Sequence, residues 1–129
     1  MTGPAWLYVA LGSAIGGVAR YGVTLWLPPV PGRWPLATMT VNLTGSLLIG
    51  LLSVALGLRV GGPDVVRLFW LTGVLGGFTT YSAFALETSM MVGSGASLRA
   101  LGYVLVTVTG CFAAAMAGRA LGAWFAGET

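Results

Sequence analysis

The sequence predicts an all-α integral membrane protein with four transmembrane helices per subunit, the third of which is broken near its centre. Of the 129 residues, 57% are hydrophobic and only 7% are charged, which is too little charge to cover the surface of a soluble domain of this size. The apolar residues are also bunched into runs of about 20, the length that crosses the hydrocarbon core of a bilayer. Lipid is therefore the predicted environment of most of the chain.

Four apolar spans fill the chain, so we predict one four-helix transmembrane domain over residues 1–129. Prolines separate the first two spans, because they lack the amide hydrogen that a helix needs. Asp64 and Ser97 are predicted to cap the third and fourth helices at their N-termini. The first span is too long for the apolar part of a signal peptide and no basic segment precedes it, so we expect a mature helix. The predicted spans are 6–27, 36–58, 65–92 and 98–125.

The residue types present do not support an enzyme. There is no histidine, the commonest general base and metal ligand, and Asp64, Glu87 and Glu128 lie far apart in the chain. No catalytic triad, zinc-binding or phosphate-binding motif occurs, and Cys111 is the only cysteine. The net charge of +3 comes from scattered arginines, so binding to nucleic acid is not expected.

The centre of the third span contains poor helix formers, Gly76-Gly77 followed by Thr79-Thr80. A break at this depth leaves backbone carbonyls unpaired, and because lipid cannot satisfy them they must face protein, water or an ion. We predict a break between Gly76 and Thr80; the alternative is an unbroken, glycine-rich packing helix. Pairs with GxxxG spacing predict close packing of helices within the bundle. These pairs are Gly12/Gly16, Gly73/Gly77 and Gly118/Gly122.

Two sets of polar residues follow helical spacing and so share one face of their span. An asparagine inside a membrane is costly unless it is paired. Because its amide offers two donors, Asn42 is interpreted either as a donor to an anion or as a residue that only bonds a neighbouring helix. The sets are Thr38, Asn42, Gly45 and Ser46 on the second span, and Tyr103, Thr107 and Cys111 on the fourth.

Two of the charged residues within the spans, Glu87 and Arg20, bear on function. An ionised carboxylate repels anions, so we interpret Glu87 as the partner of an arginine or as the cap of a helix end. Arg20 lies late in the first span, where it either reaches back to the interface or forms a positive vestibule that attracts anions.

The arginines divide equally between the two sides of the membrane. Orientation normally follows an excess of Lys and Arg in the cytoplasmic loops. An equal division predicts dual topology, in which both orientations insert and pair as an antiparallel homodimer about a two-fold axis; a small bias hidden by the span boundaries is the alternative. The two groups are Arg59, Arg67 and Arg119, and Arg20, Arg33 and Arg99.

Three segments, in this order and at this chain length, resemble the Fluc family of fluoride channels, also called CrcB. The resemblance covers essentially the whole chain, and Glu87 also falls where the family has a glutamate. The matching segments are Gly16-Gly17-Val18-Ala19-Arg20-Tyr21, Thr38-x-x-Val41-Asn42-x-x-Gly45-Ser46, and Gly73-x-x-Gly76-Gly77-Phe78-Thr79-Thr80-Tyr81-Ser82-x-Phe84.

The resemblance implies a fluoride-selective channel in the bacterial inner or plasma membrane that exports fluoride from the cytoplasm down its gradient and so reduces its toxicity. Family members are antiparallel dual-topology dimers with two pores and a structural Na+ at the dimer centre. The ligands of that ion correspond to the backbone carbonyls of Gly76 and Thr79, and Arg20 and Glu87 take vestibule or structural positions. The fluoride-pore positions correspond to Asn42, Tyr81, Ser82, Phe84, Tyr103 and Thr107.

The sequence departs from the family pattern at Tyr81, where phenylalanine is usual, and at Ala83, where a hydroxyl residue is usual. A small multidrug-type dual-topology exporter is the alternative function, but it needs a carboxylate in the first span, and none is present. A membrane protein that only packs is a third class. The Asn42 face and the predicted break argue against it, because an inert bundle avoids such costs.

Overall fold

The computed structural model describes residues 4–57 and 65–127, and every regular element in those ranges is a helix. The four predicted spans are present as helices, and the third is divided between α3 and α4. The helices are α1 (Ala5–Trp26), α2 (Leu36–Ala55), α3 (65–78), α4 (Tyr81–Gly93) and α5 (Ser97–Ala126).

Most helix ends lie within one residue of the predicted ones, but the end of α2 and the cap of α5 differ from the prediction. Helix α2 ends at Ala55 rather than at Leu58, and Leu58 and Asp64 lie outside the described residues. Ser97 is the first residue of α5 and not its N-cap, so that prediction is wrong. The N-cap is Ala96, which has no side chain able to accept a hydrogen bond.

Helix α3 is irregular along most of its length. An α-helical turn, Val65–Arg67, leads into a π-helical segment, Leu68–Leu75, and a last α-helical turn, Gly76–Phe78. π-Helical segments are rare and occur mostly as short interruptions of α-helices, often near functional sites. This segment places the end of α3 directly before the break.

The predicted break is present and consists of two extended residues. Thr79 has φ −79° and ψ 160°, and Thr80 has φ −151° and ψ 115°. Neither residue has helical dihedrals, so α4 starts again with Tyr81 as a separate helix. The break lies at the C-terminal end of the predicted window, and the alternative of an unbroken third helix is excluded.

Glycines bring the helices into contact in two pairs, α1 with α3 and α2 with α5. A Cβ on Gly12 would lie 2.9 Å from the Gly73 Cα, and one on Gly77 would lie 2.9 Å from the Ser13 Cα. On the other side of the bundle, a Cβ on Gly118 would lie 2.9 Å from the Leu51 amide nitrogen. The GxxxG pairs therefore serve packing within the chain, as predicted.

Two of the described helices, Leu36–Ala55 and Ser97–Ala126, are long and apolar enough to cross a membrane by length and composition. Large apolar side chains also point outward over much of the surface; Trp26 and Leu98, for example, are more than 80% exposed. Such a surface suits lipid rather than water. Crossing of the membrane by all four spans stays a prediction.

Candidate functional site

The break in the third span is held by a side chain of α2. The Asn42 carboxamide donates from Nδ2 to the Thr80 carbonyl oxygen at 2.9 Å, and its Oδ1 accepts from the Thr80 amide at 2.8 Å. The amide and the carbonyl of Thr80 are thus both bonded by a side chain from another helix. Asn42 therefore bonds a neighbouring segment, one of its two interpretations from sequence. The second hydrogen on Nδ2 leaves it one donor for a ligand as well.

Thr80 also starts helix α4. Its Oγ1 accepts a hydrogen bond from the Ala83 amide at 3.2 Å, the usual bond of an N-cap residue. The same oxygen lies 3.4 Å from the Ser82 Oγ. On the other side of the break, the Thr79 hydroxyl donates to the Leu75 carbonyl of α3 at 3.0 Å. The Thr79 side chain therefore bonds the end of α3, and the Thr80 side chain bonds the start of α4.

A cavity of about 410 Å³, which we call the groove, runs past the break between α2, α4 and α5. Its polar lining comes from hydroxyl, thiol and amide side chains, and none of the described residues that line it is charged. The groove can therefore present donors to an anion without fixing it by a full opposite charge. The lining residues with polar or aromatic side chains are Asn42, Ser46, Thr79, Thr80, Tyr81, Phe84, Thr107 and Cys111.

Thr107 contributes a buried hydroxyl that has no partner. The residue is 4% exposed, and its Oγ1 makes no hydrogen bond within the described chain. Threonines in membrane helices often bond the carbonyl one turn earlier, as Thr109 does with Leu105 at 2.6 Å. A buried hydroxyl without a partner is costly, so Thr107 is the groove residue best placed to meet a ligand.

Two aromatic rings border the groove, and a third lies behind them. The ring centroids of Tyr81 and Phe84 are 5.8 Å apart, and Tyr81 is 79% exposed. Phe84 is buried and lies 5.1 Å from Tyr103, which in turn contacts Trp34. Tyr103 is fully buried and is not among the residues that line the groove.

Glu87 joins three helices through hydroxyl donors. Thr38 on α2 donates to Glu87 Oε1 at 2.7 Å, and the Tyr103 hydroxyl on α5 donates to Glu87 Oε2 at 2.7 Å. The carboxylate is thus held by two hydroxyls, and the expectation of an arginine partner or a helix cap is wrong. The Tyr103 hydroxyl proton is engaged in this contact.

A second cavity of about 410 Å³, the Arg20 cavity, lies on the other side of the break. Arg20, Thr38 and Glu87 line it, and so does Ala83, one of the two positions where the sequence departs from the family pattern. Thr80 lines both this cavity and the groove. The two cavities therefore approach each other at the residue that Asn42 holds.

The structure brings together four of the six pore residues inferred from the sequence, namely Asn42, Tyr81, Phe84 and Thr107. Ser82 is exposed and lines neither cavity, and Tyr103 lies behind Phe84. Gly76 and Thr79, whose backbone carbonyls the resemblance implies as sodium ligands, lie in the last turn of α3 and directly after it. Thr80 is the residue that the sequence reasoning missed, although a threonine directly before a helix is a recognisable N-cap signal.

A broken helix beside an uncharged polar groove, in an all-helical chain with an apolar surface, is typical of small membrane proteins that move ions or solutes. A family profile described as CrcB-like protein, Camphor Resistance (CrcB), matches residues 7–119. The chain belongs to this family.

Several relatives named fluoride-specific ion channel FluC are similar to this chain along most of its length. The protein from Chloroflexus aurantiacus is 44% identical over 94% of this chain and 97% of its own. The protein from Paracoccus denitrificans is 47% identical over 90% of this chain and 92% of its own. That from Anaeromyxobacter dehalogenans is 45% identical over 94% of this chain and 97% of its own.

Proposed function

We propose that this chain is a fluoride-selective channel that lets fluoride leave the cytoplasm down its electrochemical gradient. Three relatives named fluoride-specific ion channels align with at least 90% of it. In the structure, the observation that carries the proposal is the Thr107 hydroxyl, which is buried, unpartnered and part of the lining of an uncharged groove. Transport through such a groove needs no covalent chemistry, so the protein is a channel and not an enzyme.

The groove offers what a small, tightly hydrated anion requires. A selective pore must replace the water that the ion loses, yet bind the ion weakly enough to release it. The free Nδ2 hydrogen of Asn42 and the Thr107 hydroxyl are donors without formal charge. The ring edges of Tyr81 and Phe84 carry partial positive charge and add weaker contacts. Release of the ion is favoured because none of the described side chains that line the groove is cationic.

The Arg20 cavity supplies an entrance in this proposal. Arg20 gives it a positive charge that raises the local concentration of anions. Glu87 lies in the same cavity, but its carboxylate is engaged by Thr38 and Tyr103. An anion would pass from this entrance to the groove at Thr80, which lines both.

The working unit in this proposal is an antiparallel dual-topology homodimer in the cell membrane, with each subunit crossing the bilayer four times. The groove lies on the surface of the single chain, where Tyr81 is 79% exposed. A polar groove open to lipid would be unfavourable, and a second copy would close it. The equal division of the arginines supports an inverted second copy.

Sodium at the centre of the dimer is part of the same proposal. Hard cations prefer oxygen ligands, and the carbonyls of Gly76 and Thr79 lie at the end of α3, where helical hydrogen bonding stops. The site therefore fits a sodium ion in its ligand type. When bound, the ion would supply a fixed positive charge and a link between the two subunits.

Release of fluoride from liposomes tests the function. Purified protein is reconstituted into vesicles loaded with potassium fluoride, and efflux is followed with a fluoride electrode after a potassium ionophore is added. We expect fluoride to be released at once, and vesicles loaded with potassium chloride to retain their chloride. Release of both anions, or of neither, would contradict a fluoride-selective channel.

A further inference from the structure

Two backbone carbonyls near the break lose the donors that a continuous helix would give them. In an α-helix, the amide of residue i+4 bonds the carbonyl of residue i. The Thr80 amide would thus bond the Gly76 carbonyl, but it donates to Asn42 Oδ1 at 2.8 Å. The Ala83 amide would bond the Thr79 carbonyl, but it donates to Thr80 Oγ1 at 3.2 Å.

Each of these two amides therefore donates to a side-chain oxygen and not to the backbone carbonyl that would accept its hydrogen bond in a continuous helix. The Asn42 side chain replaces the Gly76 carbonyl, and the Thr80 side chain replaces the Thr79 carbonyl. These two carbonyls are the ones assigned above to sodium. Helix α2 also packs closely against Thr79, the other residue of the break. A Cβ at Gly45 would collide with the Thr79 methyl group, Cγ2, so the glycine leaves room for it.

We propose that the Asn42 carboxamide and the Thr80 hydroxyl are positioning residues for a cation site, because they occupy the two amides that would otherwise bond the Gly76 and Thr79 carbonyls. The inference rests on the proposed sodium site and adds the side chains that create it. The same Asn42 amide lines the groove, so one side chain serves both the anion path and the cation site.

The assignment gives a specific expectation for variants that keep the shape of the side chain. Leucine at position 42 is close in size to asparagine but accepts no hydrogen bond, so the Thr80 amide becomes available to the Gly76 carbonyl. Valine at position 80 keeps the branched shape of threonine and frees the Ala83 amide for the Thr79 carbonyl. In both cases a carbonyl that could bind a cation is paired within the helix instead.

Sodium binding is measured separately from transport, as the sodium-dependent rise in melting temperature of the detergent-purified dimer. The sodium concentration is varied at constant ionic strength with N-methylglucamine as the replacement cation. For Asn42→Leu and Thr80→Val, we expect the half-saturating sodium concentration to rise about tenfold or more, a factor of ten being about 1.4 kcal/mol. Thr80→Ser, which keeps the hydroxyl, should respond to sodium as the wild-type protein does.

Thr109→Val is the matched control, because it makes the same substitution at a hydroxyl bonded within its own helix; its sodium response should equal that of the wild type. If Asn42→Leu does not fold, Thr80→Val and Thr80→Ser still decide. An unchanged sodium response in Thr80→Val would overturn the assignment, and so would the absence of any sodium response in the wild type. Fluoride release from liposomes by the same wild-type preparation separates that second outcome from failure of the channel proposal.

Discussion

The Tyr103 hydroxyl donates a 2.7 Å hydrogen bond to the Glu87 carboxylate from a position that is fully buried. This contact joins α5 to α4, while Thr38 joins α2 to the same carboxylate. A cluster of three polar side chains thus fastens the second half of the broken helix to its neighbours.

Tyr103→Phe should lower the stability of the protein, because Glu87 loses one of its two donors. Hydrogen bonds between membrane helices contribute about 0.6 kcal/mol on average and up to about 1.7 kcal/mol. A double-mutant cycle with Glu87→Ala, measured by unfolding in mixed micelles, should give a coupling in that range. Tyr21→Phe, at an exposed tyrosine, is the control. Additive effects of Tyr103→Phe and Glu87→Ala would mean that the bond contributes nothing.

Thr107→Val should separate transport from stability. The Thr107 hydroxyl has no protein partner to lose, so the substitution should leave the melting temperature unchanged or raise it. Fluoride loses one donor, worth about 0.5–1.5 kcal/mol, so the rate of fluoride release from liposomes should fall by up to about tenfold. If release is unchanged, or if the protein is clearly destabilised, the hydroxyl does not have this role.

Tyr81 tests whether a ring edge or a hydroxyl matters at the groove. Its ring contacts Phe84, and the tyrosine adds a donor that phenylalanine lacks. We expect Tyr81→Phe to release fluoride nearly as fast as the wild type, and Tyr81→Ile to be much slower because the ring edge is gone. Should Tyr81→Phe be as slow as Tyr81→Ile, the hydroxyl is essential, and the ring edge is not sufficient.

Gly16 and Gly17 form a matched pair for the packing of α1 on α3. A Cβ on Gly16 would collide with the Val74 carbonyl, whereas one on Gly17 would meet no atom within 4 Å. Gly16→Ala should therefore destabilise the protein by about 1–3 kcal/mol. Gly17→Ala should be neutral, or stabilising by up to about 1 kcal/mol. Equal unfolding free energies for the two variants would contradict the observed packing.

Added lysines should force a single orientation and stop transport if the dimer is antiparallel. Lysines placed in the connection between α1 and α2 bias the chain by the positive-inside rule. The biased protein alone should not release fluoride, and co-expression with a copy biased in the opposite direction should restore release. Normal transport by the biased protein alone would exclude dual topology.

Sequence reasoning succeeded where the chemistry of a segment is local. The prolines before α2 marked the connection, because proline lacks the amide hydrogen that a helix needs. The Thr-Thr pair in the third span marked the break, whereas Gly76 and Gly77 before it are helical. The GxxxG pairs marked the packing faces, because glycine has no side chain to keep two helix backbones apart. These features depend on neighbours in the chain, which the sequence shows directly.

The partners of polar side chains could not be predicted in the same way. Helical spacing placed Asn42 and Tyr103 on the polar faces of their own helices. Which side chains meet is decided by how far one helix is shifted along its axis relative to its neighbour. That shift depends on the break, which brings the Thr80 backbone to Asn42 and places Glu87 opposite Tyr103. An arginine partner or a helix cap was expected for Glu87, and only the packed structure shows that two hydroxyls bond its carboxylate.

The pairing of helices also has a consequence for biosynthesis. Helix α1 packs mainly against α3, and α2 mainly against α5, so neither of these two helices has the next helix in the chain as its main packing partner. Because synthesis proceeds from the N-terminus, α1 leaves the ribosome before its main partner exists, and α2 waits until the last helix is made. Helix α2 is apolar enough to wait alone in lipid. Assembly of the bundle is therefore completed only when α5 has been inserted, and a chain truncated before α5 would leave the polar face of α2 without cover.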